Sequence, residues 1–162
     1  MGKKLRPTSK WHHYFPIYEH HIARFKDKAP TLVEIGVAGG GSLHIWRKYF
    51  GPKARIIGVD INPKCKNLEQ DGFEIIIGDQ SDPTFLKELA EKIAGADIII
   101  DDGGHTGNQT IQTFEHLYPK LAYEGVYITE DAQTSIWPRY NDRIDGMTFM
   151  DLAKSVAEKL TW

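Results

Sequence analysis

Cysteine is nearly absent from the sequence: Cys65 is the only one among 162 residues. A single thiol excludes an internal disulfide and every metal site that is built from several cysteines. Scarce cysteine is typical of a reducing compartment, so we expect a cytoplasmic protein. The sequence also lacks an apolar run long enough to span a bilayer, and no apolar segment follows its basic start as a secretory signal requires.

A strong excess of either charge is also missing, because the formal net charge is −2. Such a balance gives no overall attraction to nucleic acid or to a membrane surface, and we expect neither as a partner. The one asymmetry lies in residues 1–28, where seven Lys/Arg face two acidic residues. We interpret residues 1–10 as a loose, solvated basic arm; the alternative is a docking surface for an anionic partner.

The chain length and the order of the apolar segments indicate one domain over residues 1–162. Residues 1–28 are predicted as an arm and a helix, and residues 29–162 as a core in which strands alternate with amphipathic helices. The predicted strands cover residues 31–35, 55–59, 73–77, 96–100 and 125–129. This alternation predicts a doubly wound α/β fold of Rossmann-like type with a mostly parallel sheet.

An aromatic stripe near the N-terminus predicts the first helix of the chain. Trp11, Phe15, Tyr18, Ile22 and Phe25 recur at spacings of three and four, which places them on one helical face. The two adjacent histidine pairs in this segment cannot chelate as pairs, because neighbouring positions point about 100° apart on a helix. We expect these histidines at an interface or at the rim of a cleft. The sequence alone leaves open whether the chain forms a homo-oligomer.

A glycine-rich turn at residues 36–41 connects the first predicted strand to the next helix. Strand, glycine turn and helix together form an arrangement that lets the backbone approach a ligand closely. We expect Ser42 to cap the helix. The alternative is a tight turn without a ligand, but consecutive glycines carry a conformational cost that favours the ligand interpretation.

Two ligands compete for this turn. A dinucleotide site requires the pattern G-x-G-x-x-G, in which Ala38 occupies the position of the second glycine. The S-adenosylmethionine pattern E-x-G-x-G-x-G fits Glu34, Gly36 and Gly40, again with Ala38 in place of one glycine. The turn by itself therefore does not decide between the two ligands.

Polar residues at the ends of the second and third predicted strands extend the same site. Asp60 follows the second strand, where an acid normally holds a ribose diol in either kind of nucleotide site. Asp79 and Gln80 follow the third strand, at a position that commonly faces the adenine of a methyl donor. These residues favour S-adenosylmethionine. The candidate cofactor-binding residues up to this point are Glu34, Gly36, Ala38, Gly40, Ser42, Asp60, Asp79 and Gln80.

The most distinctive stretch of the sequence is Asp101-Asp102-Gly103-Gly104-His105, which directly follows the fourth predicted strand. A second acidic pair, Glu130-Asp131, follows the fifth strand. Because carboxyl ends of neighbouring parallel strands meet at one edge of the sheet, four carboxylates and an imidazole are expected to lie together. Clustered acids repel one another unless a cation or a proton intervenes. We expect a divalent cation with His105 as a base beside it; the alternative is an Asx-type turn and a packing histidine.

Three segments carry a resemblance to a known family: residues 33–43, 100–105 and 128–137. Together they resemble the class I, metal-dependent sugar O-methyltransferases, and in particular the enzymes that methylate deoxysugars of macrolide antibiotics such as mycinamicin. The resemblance implies S-adenosylmethionine and Mg²⁺ or another hard divalent cation as cofactors, and a small-molecule glycoside as substrate. It also implies a role in natural product biosynthesis. The family sheet usually has two further strands, so we expect a sheet that lacks them.

The resemblance also implies roles for individual residues. Asp102, Glu130 and Asp131 correspond to metal ligands, although Glu130 replaces a more usual Asp. His105 corresponds to the general base. Asp101 is expected to bond the methionine amine of the donor or to support the metal.

The segment after the second acidic pair is rich in hydrogen-bonding and aromatic residues, and we expect it to contact the acceptor. Its candidate substrate residues are Thr134, Trp137 and Tyr140. The aromatic rings could stack on a sugar or on an aromatic ring, so a methyltransferase for catechols or other vicinal diols is an alternative. A magnesium-dependent enzyme of the cephalosporin-tailoring group and a non-catalytic donor-binding or assembly module are further alternatives.

Overall fold

A parallel sheet of five strands forms the centre of the computed structural model, which describes residues 6–160. The strand order is β3-β2-β1-β4-β5, and every neighbouring pair is parallel. The order reverses between β1 and β4, as in a doubly wound Rossmann-like fold. The predicted fold class is therefore confirmed. The strands are β1 Thr31–Ile35, β2 Arg55–Asp60, β3 Glu74–Ile77, β4 Ala96–Asp101 and β5 Leu121–Thr129.

Helices connect the strands and cover the sheet. They are α1 Tyr14–Ile22, α2 Gly41–Phe50, α3 Pro83–Lys92, α4 Gly107–Leu117 and α5 Phe149–Lys159. Short 3-10 segments cover Ala23–Phe25, Pro63–Asp71, Tyr118–Lys120 and Ala132–Ile136. Within residues 6–160, no helix is both long enough and apolar enough to cross a membrane.

The core has one layer on each face of the sheet, because strand residues alternate between faces. Leu32 packs against α1 and α2 in a cluster that includes Ile22 and Trp46, whereas the next residue, Val33, joins a second cluster with Leu86 and Leu89 of α3. Both clusters are buried, which explains why the central strands read as continuous apolar runs.

The backbone hydrogen bonding of the sheet continues past the strand ends into the loops. The Asp102 amide donates to the carbonyl of Ile35 at 2.9 Å, and the Glu130 amide donates to the carbonyl of Asp101 at 2.9 Å. The loops after β1, β4 and β5 are thereby held beside one another. This places the predicted acidic residues at one edge of the sheet, at the crevice where open α/β sheets bind ligands.

The helix ends show both a confirmed and a wrong prediction. In the sequence, Thr148 and Asp151 resemble a capping box with Asp in place of Glu, and in the structure they form that box at the start of α5. Ser42 does not cap α2, because the helix begins one residue earlier with Gly40 in the N-cap position. The Ser42 hydroxyl donates instead to the buried carboxylate of Glu34 at 2.7 Å. A buried acid needs such a donor, because a buried charge without a hydrogen-bond partner is costly.

Three apolar residues lie elsewhere than the sequence pattern predicts. Trp11 precedes α1 and is 59% exposed, so the aromatic stripe begins later than expected. The helical spacing of Leu117 and Leu121 predicts that both belong to the preceding helix, but Leu121 belongs to β5. The spacing of Phe149 and Leu160 in the last helix predicts that both are buried, but Leu160 is exposed and Phe149 is the residue that α5 buries. Periodicity predicts a face, but packing decides how much of that face is covered.

Substitution of Gly36 tests how closely the loops after β1 and β4 approach each other. Gly36 has φ +83°, and an added Cβ would lie 2.1 Å from the carbonyl oxygen of Asp102. Gly72 has φ +88° with nothing within 4 Å of an added Cβ, which makes it a matched control. We expect Gly72→Ala to cost about 1 kcal/mol through backbone strain, and Gly36→Ala roughly 2 kcal/mol more through the clash. Urea unfolding of both variants measures the difference, and equal losses would refute the close approach.

Cys65 provides a second test. It is buried, and this burial together with the charge of Asp60 raises the pKa of its thiol to about 11. Only the thiolate is nucleophilic, so alkylation of the native chain near pH 8 should be slower than that of the unfolded chain by about two orders of magnitude. Iodoacetamide labelling followed by mass spectrometry checks this, and equal rates in both states would contradict the buried placement.

Candidate active site

A cavity of about 360 Å³ opens at the edge of the sheet where the strand order reverses. Its size is within the range of small-molecule sites, about 300–1,000 Å³. The predicted site residues that line it are Gly36, Ala38, Asp60, Asp79, Gln80, Asp102, His105 and Asp131. The structure therefore brings together residues at the carboxyl ends of all five strands.

Asp60 organises the glycine turn from the tip of the neighbouring strand. Its Oδ2 accepts hydrogen bonds from the amides of Val37 and Ala38, each at 3.0 Å. Its Oδ1 accepts from the amide of Asn62 at 2.8 Å. Ala38 has φ +42°, a conformation that non-glycine residues rarely adopt, so the turn is held in an unusual shape. Asp60 thus braces the turn in addition to lining the cavity.

Gln80 clamps the loop after β4. Its amide nitrogen donates to Asp101 Oδ1 at 2.7 Å, and its amide oxygen accepts from the amide of Gly104 at 2.9 Å. An added Cβ at Gly103 would lie 2.1 Å from the same oxygen, so any larger residue there would force the Gln80 side chain to move. Asp79 turns its carboxylate to the amide and hydroxyl of Ser81. Both residues line the cavity while holding the surrounding backbone.

Other predicted cofactor residues lie behind the cavity wall. Glu34 and Ser42 are buried and bond each other, and Gly40 forms the N-cap of α2. Asp101 is also buried, and burial raises its pKa to about 7. These residues support the wall of the cavity rather than form it.

His105 faces two acids across the mouth of the cavity. Its Nε2 lies 3.8 Å from Asp102 Oδ1 and 3.9 Å from Asp131 Oδ2. His105 has φ +59° and Asp131 has φ +51°, so both are strained non-glycine positions. Strain of this kind, held by surrounding structure, is characteristic of functional sites.

Lys10 enters the acidic cluster from the N-terminal segment. Its Nζ lies 2.5 Å from Glu130 Oε1, 2.8 Å from Asp102 Oδ2 and 3.0 Å from Glu34 Oε1. The side chain is only 2% exposed. The prediction of a loose, solvated arm over residues 1–10 is therefore wrong for Lys10, whereas residues 6–9 are exposed; residues 1–5 lie outside the described part of the chain. No local pattern in the sequence distinguishes Lys10 from the other basic residues around it.

The charges in this cluster depend on one another. Burial alone would lower the pKa of the Lys10 ammonium, but the charges of Glu34, Asp102 and Glu130 together raise it above its ordinary value. Burial raises the pKa of Glu130 to about 7 despite the opposing effect of Lys10. The ammonium is thus the cation that compensates these buried carboxylates.

Helix α1 contributes two phenols that the sequence analysis missed as site residues. The Tyr18 hydroxyl donates to Glu130 Oε1 at 2.5 Å, and the Tyr14 hydroxyl donates to Asp131 Oδ1 at 2.5 Å. Burial and the hydrogen bond to Asp131 raise the pKa of Tyr14 to about 12, so it remains a donor. Their i, i+4 spacing places both on one helical face, but that pattern alone indicates core packing as readily as a site.

The predicted acceptor residues have different surroundings. Thr134 is buried, and its hydroxyl donates to the carbonyl of His105 at 3.0 Å. Trp137 is 48% exposed, and its ring centroid lies 6.2 Å from that of Tyr140. The carbonyl of Tyr140 accepts from the amide of Gly107 at 3.1 Å, which ties the loop to the start of α4. Thr134 therefore positions His105, whereas Trp137 and Tyr140 present aromatic surface.

Comparison with known proteins identifies the fold family. A family model described as a methyltransferase domain matches residues 33–132, which is more than half of the chain. The chain belongs to this methyltransferase family. The matched segment includes the glycine turn, the Asp102–His105 loop and the acidic pair after β5.

Two curated relatives of this methyltransferase domain are O-methyltransferases by name. The chain is 43% identical over 157 residues to the 8-demethyl-8-α-L-rhamnosyl tetracenomycin-C 2′-O-methyltransferase of Streptomyces olivaceus. The alignment covers 91% of this chain and 41% of that protein. The chain is 32% identical over 160 residues to the mycinamicin VI 2″-O-methyltransferase of Micromonospora griseorubida, covering 92% and 40%. The chain thus spans about two fifths of the length of these relatives.

A solved structure shares the same architecture. The MycE methyltransferase from the mycinamycin biosynthetic pathway, in complex with Mg and SAH, superposes with a TM-score of 0.82 at 32% identity. The match covers 91% of this chain and 43% of that one. A second MycE structure also contains mycinamycin VI and gives the same score.

The donor set of the methyltransferase domain is suited to a hard cation. Asp102, His105 and Asp131 each offer a ligand atom within 4.8 Å of the others, and Glu34, Asp102 and Glu130 form a second such group. Carboxylate oxygens suit Mg²⁺, Mn²⁺ and Ca²⁺. The three predicted ligands are therefore divided between the two groups. Asp102 belongs to both, Asp131 lies in the first group facing His105, and Glu130 lies in the second facing Lys10.

The buried tyrosine–glutamate bond can be tested against an exposed one. Tyr18 donates to Glu130 inside the methyltransferase domain, whereas Tyr49 donates to Glu19 at 2.6 Å on the surface. We expect Tyr18→Phe to cost about 1.5–3 kcal/mol, because a buried charged acceptor loses its donor. Tyr49→Phe should cost less than about 0.5 kcal/mol. Denaturant unfolding measures both, and equal costs would mean that the Tyr18 bond does not support the site.

Proposed function

We propose that the chain is the donor-binding and catalytic domain of an S-adenosylmethionine-dependent O-methyltransferase that methylates a sugar hydroxyl on a glycosylated natural product. The observation that carries this proposal is the convergence of Asp102, His105 and Asp131 at the mouth of the cavity behind the glycine turn. The names of the tetracenomycin and mycinamicin relatives support the acceptor class. Because those proteins are much longer, the activity and the acceptor are proposals for this chain.

The donor is proposed to occupy the cavity between the strand ends. Gly36 and Ala38 would let the backbone approach it, and Asp60 would face its ribose from the tip of β2. Asp79 and Gln80 would lie beside its adenine. Glu34, Gly40, Ser42 and Asp101 are proposed to act by holding the walls, as their buried positions indicate.

The carboxylates Asp102, Glu130 and Asp131 are proposed to hold a hard divalent cation on the side of His105, with Glu130 acting through Oε2 because Lys10 and Tyr18 both bond its Oε1. Mg²⁺ is preferred because every one of these side chains offers oxygen. Such a cation lowers the pKa of a hydroxyl that contacts it. His105 lies beside two of these acids and is proposed to accept the hydroxyl proton, so that the oxygen can take the methyl group. Thr134 would fix His105 through its carbonyl.

The acceptor is proposed to approach from the loop after β5. Trp137 offers exposed aromatic surface, and the half-buried ring of Tyr140 lies beside it; both can stack on the apolar face of a sugar or on an aromatic ring. A glycoside acceptor calls for no nucleic acid and no membrane partner, and we propose a cytoplasmic site of action. A vicinal-diol acceptor such as a catechol is the alternative, and an acceptor panel separates the two.

We expect His105→Ala to lower methyl transfer about 10²–10⁴-fold, because general-base catalysis contributes that much. Donor binding should remain within about twofold, since His105 does not hold the glycine turn. Radiolabelled methyl transfer to a rhamnoside and to a catechol, together with calorimetry of donor binding, measures both quantities. His20→Ala is the control, because His20 is an exposed residue of α1.

Unchanged transfer in His105→Ala would reject its role as the base. Donor binding without transfer to any acceptor in the wild-type chain would favour the non-catalytic alternative. Transfer to the catechol alone would replace the sugar with a vicinal diol as the acceptor.

A further inference from the structure

The acidic cluster contains two positions for a cation, and they use opposite oxygens of Asp102. The inner position lies between Glu34, Asp102 and Glu130, and Lys10 Nζ fills it through Asp102 Oδ2. The outer position lies toward His105, which faces Asp102 Oδ1 at 3.8 Å. Asp102 is therefore shared by the two positions.

The inner position is built to hold a positive charge. Three carboxylate oxygens lie 2.5–3.0 Å from Lys10 Nζ. The ring centroids of Tyr18 and Trp46 lie 6.0 and 5.9 Å from the same atom, and aromatic faces attract cations. Each buried carboxylate would be costly without a compensating charge. The cage is therefore complementary to a positive charge.

The N-terminal segment holds Lys10 in this cage. Arg6 pairs with Asp71 at 3.0 Å, and an added Cβ at Gly41 would lie 2.1 Å from the carbonyl oxygen of Pro7. The segment thus lies directly on the glycine turn, and Ser9 reaches the cavity wall. Packing of the N-terminal segment against the glycine turn therefore fixes the position of Lys10.

We propose that Lys10 is a positioning residue that permanently fills the inner cation position and thereby assigns the divalent metal to the outer position beside His105. A metal in the inner position would lie behind Asp102, buried from any acceptor. With the ammonium there, a divalent cation is confined to the side that opens to the cavity. The outer position rests on the proposed function, whereas the filled inner position rests on the geometry of Lys10 alone.

The test compares Mn²⁺ binding to the wild-type chain and to Lys10→Met, by calorimetry and by electron paramagnetic resonance. Methionine keeps an unbranched side chain that is one heavy atom shorter and removes the charge, so the inner carboxylates should take up a metal ion. We expect Lys10→Met to bind Mn²⁺ with an additional equivalent, or at least about tenfold more tightly than the wild type, because the repulsion from the ammonium is gone. Lys64→Met, at an exposed position, should match the wild type.

A double variant identifies the site of any extra binding. In Lys10→Met/Glu34→Gln the inner cage loses one of its three carboxylates, and the additional Mn²⁺ binding should disappear. The same stoichiometry and affinity in Lys10→Met and in the wild type would overturn the proposal. If the wild type binds no Mn²⁺ but Lys10→Met does, the filled inner position stands and the proposed metal-assisted function fails.

A measurement on the wild-type chain keeps the proposal testable should Lys10→Met not fold. Lys10 should resist acetylation by an N-hydroxysuccinimide ester with Mn²⁺ and with a chelator alike, at least about tenfold more than the exposed Lys64, because it stays buried in both states. Peptide mass spectrometry reads each lysine separately. Rapid acetylation of Lys10 once Mn²⁺ is added would show that the metal displaces it from the inner position, and would overturn the proposal.

Discussion

Negative charge gathered at the carboxyl edge of the sheet is the constraint on which the rest of this structure depends. The tips of β1, β4 and β5 deliver Glu34, Asp102, Glu130 and Asp131 to one small volume. Charges taken out of water cost several kcal/mol each unless they are paired and hydrogen-bonded. Many of the surrounding contacts therefore bring cations or hydrogen-bond donors to these acids.

That need explains how distant segments of the chain dock. Lys10 supplies a positive charge from the N-terminal segment, and α1 supplies the hydroxyls of Tyr14 and Tyr18. The same contacts bring the segment before α1 onto the glycine turn, and so complete one wall of the cavity. One set of contacts thus compensates the acids, closes the cavity and places α1. Asp131 and His105 remain on the open side, where a ligand can reach them.

The sequence allowed the sheet and its acidic edge to be predicted, because both follow from local patterns. Apolar runs ending in acids define strand tips, and parallel pairing brings the tips together, as the loops at Asp102 and Glu130 show. The role of Lys10 could not be predicted in this way, since its partners lie up to 120 positions away and no periodicity links them. Ser42 was misassigned for a related reason: a cap and a donor to a buried acid look alike in sequence. Only tertiary packing distinguishes such roles.

The most direct measurement of the central claim is a crystal structure grown with Mn²⁺ and S-adenosylhomocysteine, with anomalous scattering used to locate the metal. If cations compensate the acids at the strand tips, a strong anomalous peak lies beside Asp102 Oδ1 and Asp131 Oδ2, next to His105. The ammonium of Lys10 remains bound to Glu34 and to Asp102 Oδ2. An absence of anomalous signal at saturating Mn²⁺, with the acids of the two loops pointing apart, would contradict this claim.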